Sequence, residues 1–443
     1  MNRTVLAFEP VGMPPEDQVV LKLEDAPTDI PEMGCNAPTD VSDPGGSVTE
    51  RGMELLARLA LHPPVRQGLE AALRQPAYSS PVPLYFRMVS SHADRLPWEQ
   101  LCDAEHDFIA LDPRWPIVRI ASRRREVTER GFSAPLRLVA VLSAAGRSAV
   151  PQAETLLSAV CSADAAEIGV HLHIISGERE VLQAAAAAGL HGLVTTERIP
   201  TSAPELVAKI TEAQPDILHM LCHGGASGGV KVLAFAHFAD FDAAAGEEAE
   251  GQHAEPGSVR LKLPQLISAL KPCDPWLVVL SACQSAQVSE TQALAHALAN
   301  GGIPAVAGMR RQVDLGDADQ FCAALYPEVL AAVREAVSAG TSRSRELNWA
   351  TVFTNPRIVM AGPNAKSTDG WSDPVLYVQN DPLRIFPGSD ALSSADFATL
   401  RGQLDFWESY VAFFDPRNAD PVLLAHAREK ITELRDQLGL EEP

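Results

Sequence analysis

Long apolar runs are absent from this chain. Nowhere do about 18 consecutive apolar residues occur, so no transmembrane helix is expected. The opening "MNRTVLAFEPVGMPPEDQ" has too short an apolar stretch for a signal peptide and soon turns acidic, which points to a cytoplasmic protein. Cysteine is sparse: 7 residues, odd in number, scattered, with no Cys-x-x-Cys. That argues against a disulfide framework and for a reducing compartment. Basic charge is in the minority, with 36 Lys+Arg against 57 Asp+Glu and a formal net charge of -21. Non-specific binding to nucleic acid or to an anionic membrane is therefore not expected. Arg123, Arg124 and Arg125 form the one dense basic run, read here as a solvated turn.

What is present is ordinary globular material. Hydrophobic residues make up 46% and charged residues 21% of 443 residues, enough for two or three domains' worth of core. The segments "TVLAFEP" and "QVVLKLE" suggest two short strands before a Pro/Gly/Asp/Thr-rich linker. From residue 48, two helices broken at Pro63 and Pro64 precede strand-like pieces at "PLYFRMV", "FIAL" and "IVRIA".

From "PLRLVAVLSAAG" onward the pattern changes. Apolar, β-branched runs ("LRLVAVLSA", "GVHLHIIS", "DILHMLCH", "WLVVLSAC", "IPAVAGMR") alternate with helical stretches. Continuous apolar runs suit strands covered on both faces, and the alternation predicts a mostly parallel central sheet with helices on both faces. The chain is thus expected to be α/β. An extension and linker would occupy 1–47, a smaller α/β unit 48–134, the main domain 135–385 and a helical hairpin 386–443. The hairpin is read from Phe397, Leu400, Leu404, Trp407 and Val411, then Leu424, Ala427, Ile431, Leu434 and Leu438, with Asp415 and Pro416 between them. The acidic, Ala/Gly-rich stretch from His237 to Ser258 is expected to be a surface loop near the site.

Two segments carry the chemistry, "ILHMLCHGG" and "WLVVLSACQSA". His219 and His223 stand four apart, as in a zinc-protease helix, but Met220 occupies the place of the required Glu. On a strand they would be separated by about 13 Å, too far to share one ion. A phosphate loop fits no better. Val230 separates Gly229 from Lys231, no Ser or Thr follows the Lys, and the next residues look like a strand rather than a helix. No metal or cofactor is expected.

The third reading pairs His223 with Cys283. Both end apolar strands, and the carboxyl ends of strands in a parallel sheet form the ligand crevice. If the two strands are neighbours, imidazole and thiol emerge side by side, a pairing suited to nucleophilic acyl transfer. Gly224 would bring its backbone N–H to a developing oxyanion, with the N–H of Cys283 as second donor. The competing reading is a structural histidine and an inert buried thiol. Cys222, on the opposite face from His223, fits that bland description.

Together these two segments resemble the CHAT family of caspase-like proteases. So do "RLPWEQLCD", similar to the family's Pro-Trp-Glu-x-Leu signature, "LAHALANGGIPAVAGMRRQVD", "ADQFCAALYPEVL" and the terminal "WSDPVLYVQ". The resemblance spans about residues 48–380. It implies a caspase-like sheet preceded by a pseudo-caspase-like unit, with His223 as general base and Cys283 as nucleophile cutting peptide bonds without metal. The spacing, 283 − 223 = 60 residues, is of the same kind as the roughly 50 of caspases. His219 matches a position often histidine in the family and is read as a supporting group. Ser281 and Ala282 would shape the exit of the strand, and Trp98 and Glu99 would be packing and hydrogen-bonding residues of the N-terminal unit, not catalysts. Asp314, Asp317 or Asp319, which follow the strand beyond the cysteine strand, are candidates to line a pocket for a basic side chain, against a solvated-loop alternative. Tetratricopeptide repeats, common in the family, have no counterpart here, since no period of about 34 residues is found. The family implies a protein substrate, a regulatory protein or ligand, and a role in bacterial regulated proteolysis, including defence. The alternative is a catalytically silent scaffold that binds a partner through its acidic loop and C-terminal helices; a nucleotide-binding switch is a weaker third.

Overall fold

The structure, a computed structural model, describes residues 3–11, 18–27, 38–74, 76, 80–103, 107–121, 128–227, 229–242, 257–282, 290–311, 315–337, 345–379, 382–387, 394–413 and 421–437. Arg123, Arg124 and Arg125, residues 243–256 of the acidic stretch, Cys283, Asp314, Asp415 and Pro416 lie outside them.

The strands in chain order are β1 (Thr4–Pro10), β2 (Gln18–Asp25), β3 (Pro38–Asp40), β4 (Leu84–Met88), β5 (Ile117–Ile120), β6 (Thr128–Phe132), β7 (Leu136–Leu142), β8 (Val170–Ser176) and β9 (Val194–Arg198). Then follow β10 (Ile217–Ser227), β11 (Val230–Phe235), β12 (Val259–Lys262), β13 (Leu277–Ala282), β14 (Ala305–Met309), β15 (Arg345–Leu347), β16 (Pro374–Val378) and β17 (Leu383–Pro387). Among the described residues, 14 of them form one sheet in the order β3-β2-β1-β4-β5-β16-β14-β13-β10-β7-β8-β9, with β11 and β12 added beside the extended end of β10. β15, β17 and β6 make a second, small sheet.

The large sheet consists of two parallel blocks of opposite sense. β1, β4, β5 and β16 run one way. β14, β13, β10, β7, β8 and β9 run the other, and the blocks meet where β16 lies antiparallel to β14. All six carboxyl ends of the second block therefore fall on one edge. β10 sits in its interior, flanked by β13 and β7.

Continuous apolar runs become interior strands for the expected reason: both faces are covered. Ile217 and Leu221 of β10 join Leu277 and Val279 of β13 on one face, under the helices Val150–Val160 and Leu315–Val337. Leu218, Met220 and Cys222, with Val278 and Leu280, join the other, under Ala203–Ala213, Leu263–Leu270 and Glu290–Asn300. The sheet runs through 48–134 and 135–385 alike, and β1 and β2, the "TVLAFEP" and "QVVLKLE" strands, extend it further.

Two local readings change. "FIAL" contains a short 3-10 turn, Ile109–Leu111, and not a strand; Asp112 precedes Pro113, so the chain turns where a strand would need to continue. β9, "VTTER", is a strand that the apolar pattern does not announce, because this edge strand is mostly exposed. The C-terminal helices Ser394–Phe413 and Pro421–Gln437 pack Leu404 and Leu434 against Phe386 of β17. No described helix is long and apolar enough to cross a membrane.

A buried ion cluster sits under the junction of the blocks. Arg119 of β5 is fully buried and bonds both carboxylate oxygens of Glu99, through Nε at 3.0 Å and Nη2 at 2.7 Å. Its Nη1 also reaches Asp94 Oδ1 at 3.0 Å, and that same oxygen accepts from the Tyr377 hydroxyl at 2.7 Å. Burial pushes the Glu99 carboxyl up, but the Arg119 charge and hydrogen bonds more than offset this and hold it below its usual range. Trp98 beside it is fully buried against Phe8 and Phe86. Replacing Glu99 by Leu leaves the buried guanidinium with Asp94 as the one remaining carboxylate of the two, and the expected loss in urea unfolding is about 3–5 kcal/mol. A loss under about 1 kcal/mol would show that the pair does not hold the first block together.

Candidate active site

β10 brings its two histidines to the same face in different surroundings. Side chains alternate along a strand, so His219, Leu221 and His223 share a face. His219 lies at the level of Ile217 and Leu221 and is fully buried. Its Nε2 donates to Gln152 Oε1 at 2.9 Å, and its Nδ1 accepts from the Tyr326 hydroxyl at 2.8 Å. The Gln152 amide nitrogen in turn donates to Ser281 Oγ and to Asp319 Oδ1, both at 2.9 Å. Each donor in this chain meets an acceptor only if the imidazole is neutral and protonated at Nε2. Burial lowers the His219 pKa to about 3, in agreement. His219 is thus a structural link between β10 and the helices that cover it, with Ser281 tying β13 into the same network.

His223 stands where the sheet begins to open. Its Nε2 lies 2.9 Å from the carbonyl oxygen of Ala145. A carbonyl only accepts, so Nε2 carries the hydrogen and Nδ1 is the basic nitrogen. The Ala145 carbonyl belongs to the turn that follows β7. Arg147 N–H donates to the Ala144 carbonyl at 3.2 Å, and Gly146 holds a φ of 72°. With φ positive at the third residue and not at the second, this is a type II turn, which rotates its central peptide relative to type I. The Ala145 carbonyl is that central peptide, so the glycine after it sets the direction of the group that holds the imidazole.

Gly224 has a defined orientation as well. The Leu221 carbonyl accepts from Ser143 N–H at 2.9 Å on the β7 side of β10. N–H and C=O groups change side with each residue, so those of residue 223 face β7 and its neighbour β11. The N–H of Gly224 faces the opposite side, toward β13. The β10–β13 ladder pairs Ile217 with Leu277 through Cys222 with Ala282, at a constant offset of 282 − 222 = 60. Cys222 itself is buried on the far face.

The acidic candidates have separate positions. Asp319 is engaged with Gln152. Asp317 packs on the turn Gly370–Ser372, where a Cβ on Gly370 would come within 2.7 Å of its Oδ2. Asp373, after that turn, binds Arg310 at 2.8 Å and Arg311 at 2.8 Å, fixing the chain that leaves β14. Among the described residues, no group of three or more His, Cys, Asp or Glu side chains is arranged to hold a metal ion.

Sequence reasoning missed the Ala145 carbonyl, Gln152 and Tyr326. A backbone carbonyl has no sequence signature beyond the glycine that orients it. Gln152 and Tyr326 read as ordinary positions on amphipathic helices, and only the fold shows that they meet His219.

The architecture defines a class: a mostly parallel α/β sheet with an oriented imidazole at the point where an interior strand outruns its parallel neighbours; β10 does not end at His223 as expected but continues to Ser227 against β11. The CHAT domain family matches residues 50–413, well over half of the chain. The chain belongs to the CHAT family. A search of curated proteins finds no match. Among solved structures, a chain of the Saccharomyces cerevisiae separase-securin complex is similar at 14% identity, with a TM-score of 0.33. The similarity covers 74% of this chain and 18% of that one. The family assignment rests on the CHAT match.

The neutral His219 has a measurable consequence. Its folded pKa of about 3 lies below the unfolded value near 6.5, so the unfolded chain takes up the proton first. The resulting stability is present above about pH 6.5 and is lost as pH falls, by about 1.4 kcal/mol per unit. Between pH 6.5 and 5 the native protein should therefore lose about 2 kcal/mol more than a His219→Gln variant. Urea unfolding at both pH values measures the difference, and equal slopes would contradict a neutral His219.

Proposed function

We propose that this protein is a cysteine endopeptidase with His223 as general base and Cys283 as nucleophile. The observation that carries the reading is the imidazole of His223, held through Nε2 by the Ala145 carbonyl, one residue beyond the parallel ladder between β10 and the strand that leads to Cys283. The ladder ends at the pair Cys222 and Ala282, and the proposed mechanism requires the next residue, Cys283, to meet His223. Residues 135–385 would carry the chemistry, with 48–134 completing the sheet beneath it, 1–47 extending its edge and 386–443 forming an appendage.

In this mechanism a substrate segment lies across the carboxyl edge of the second block. His223 Nδ1 takes the thiol proton as sulfur attacks the scissile carbonyl. The N–H groups of Gly224 and Cys283 receive the oxyanion; that of Gly224 already faces this side. The imidazolium gives its proton to the leaving amine, and the peptide bond breaks to leave a thioester. Water, deprotonated by the same Nδ1, then releases the acid and restores the thiol. The Ala145 carbonyl steadies the imidazolium through Nε2–H in the intermediate stages. It does so without a carboxylate's charge, so the base is oriented more than it is strengthened.

Asp314 and Asp317 are proposed as acids of the substrate pocket, favouring a basic residue before the cut. Control by a regulatory protein or ligand, and a part in bacterial defence, follow from the family and complete the proposal. A second reading has its own support. Phe406 and Leu423 on the two C-terminal helices are 60% and 52% exposed, two apolar side chains left for a partner to cover without any catalysis.

An electrophilic peptide ketone library with a reporter separates the readings. Native protein should be labelled at Cys283, and His223→Ala should slow labelling at least about 100-fold. Cys283→Ala should abolish both labelling and cleavage while the melting temperature stays within a few degrees. Cleavage of a cognate protein by the Cys283→Ala variant would refute the mechanism.

A further inference from the structure

A base held by a loop carbonyl is only as well placed as the loop. Ala145 lies between the end of β7 at Leu142 and the start of the helix Val150–Val160, where no ladder fixes the backbone. The upstream side of the turn is anchored at Ser143. Its N–H bonds the Leu221 carbonyl at 2.9 Å, its carbonyl accepts from Ala236 N–H at 3.2 Å, and its hydroxyl donates to the Ala236 carbonyl. Gly177 N–H closes this knot on Ser143 Oγ at 3.1 Å. A side chain at Gly177 would strike the Ala236 carbonyl at 2.1 Å, so only glycine lets the three strand ends meet.

The downstream side is held by one carboxylate. Glu178 is only 5% exposed. Its Oε1 accepts from Ser148 Oγ at 2.6 Å and its Oε2 from Ala149 N–H at 2.7 Å. Ala149 is the N-cap of the helix Val150–Val160 and has no side chain with which to cap it. Glu178 supplies the missing acceptor from another element, and its negative charge lies where the helix dipole favours an anion. Each carboxylate oxygen is matched to one donor, an arrangement that an amide cannot reproduce. The amide of a glutamine would turn its NH2 toward one of the two donors.

We propose that Glu178 is a positioning residue for the general base: it clamps the downstream end of the 143–149 loop and thereby fixes the Ala145 carbonyl that orients His223. The proposal rests on the reading of His223 as the base, yet the clamp itself can be tested without it. Glu178→Gln tests the carboxylate. Ser148→Ala removes one donor to Glu178, together with the weak acceptor for Val150 N–H at 3.3 Å, at an exposed position, and Glu180→Gln is the neighbouring charge control.

The readouts are the imidazole nitrogen shifts of His223 in protein labelled with 15N-histidine, assigned by the loss of signal in His223→Gln, and the alkylation rate of Cys283 with iodoacetamide. Native protein should show His223 as the Nε2–H tautomer. Glu178→Gln should shift it toward a tautomer mixture and slow alkylation about tenfold, a part of what a general base contributes. Ser148→Ala should change both in the same direction by less, and Glu180→Gln should change neither. A native His223 signal in Glu178→Gln overturns the proposal, whatever the thiol does. If the His223 signal shifts but the native thiol reacts at the same rate with and without His223, Glu178 keeps its role and the protease reading fails.

Discussion

The register of β10 against β13 is the constraint on which the rest depends. Both strands are buried on both faces, so their side chains have no solvent-facing alternative. A slip of one residue would send Leu218, Met220 and Cys222 to the face now occupied by Ile217, His219 and Leu221. It would also carry His219 away from Gln152 and Tyr326, leaving polar groups of all three buried without partners at about 1–3 kcal/mol each. The polar chain from Tyr326 through His219 and Gln152 to Ser281 is thus a register key. It accepts one alignment of the two strands that end in the candidate chemistry. A purely apolar interior would tolerate more than one.

Much of this was legible in the sequence. The interior strands from "LRLVAVLSA" to "IPAVAGMR" announce themselves as apolar runs because a strand covered on both faces has no polar side to show. β9 and the turn at Ile109 escaped for complementary reasons. An exposed edge strand carries no apolar signal, and a short apolar stretch before Asp112 and Pro113 looks like a strand until the proline is weighed. His223 and Gly224 were readable from their place at the end of an apolar run that turns glycine-rich. What holds them was not. The Ala145 carbonyl holds His223, while Gln152 and Tyr326 hold His219 beside it; these partners lie far from β10 in the chain, and proximity of that kind is a product of the topology.

The opposition of the two parallel blocks has a mechanical consequence. Only one block sends its carboxyl ends to the candidate site; the other presents its own at the opposite edge, where Arg119, Glu99 and Asp94 fill the space beneath it with paired charge. Arg119 carries enough partners to compensate burial, and its pKa is raised despite desolvation. The first block is thus closed by charge pairing at its carboxyl edge, whereas the carboxyl edge of the other block carries the candidate site. The same sheet carries both roles because β16 reverses direction against β14.

Two histidines four residues apart on one strand show how environment divides a shared side chain into two kinds of group. His219 has both nitrogens committed, Nε2 to Gln152 and Nδ1 to Tyr326, inside a fully buried cluster that disfavours charge. A proton offered to it would break the Tyr326 bond and be stranded without solvation, so it cannot serve as a base near neutral pH. His223 spends Nε2 on a neutral carbonyl acceptor, which tolerates imidazole and imidazolium alike. Protonation of Nδ1 there breaks no bond to Ala145 and strengthens the one already made. The strand places both rings, but burial and two side-chain partners commit the first to a neutral structural role, while a backbone carbonyl aims the second.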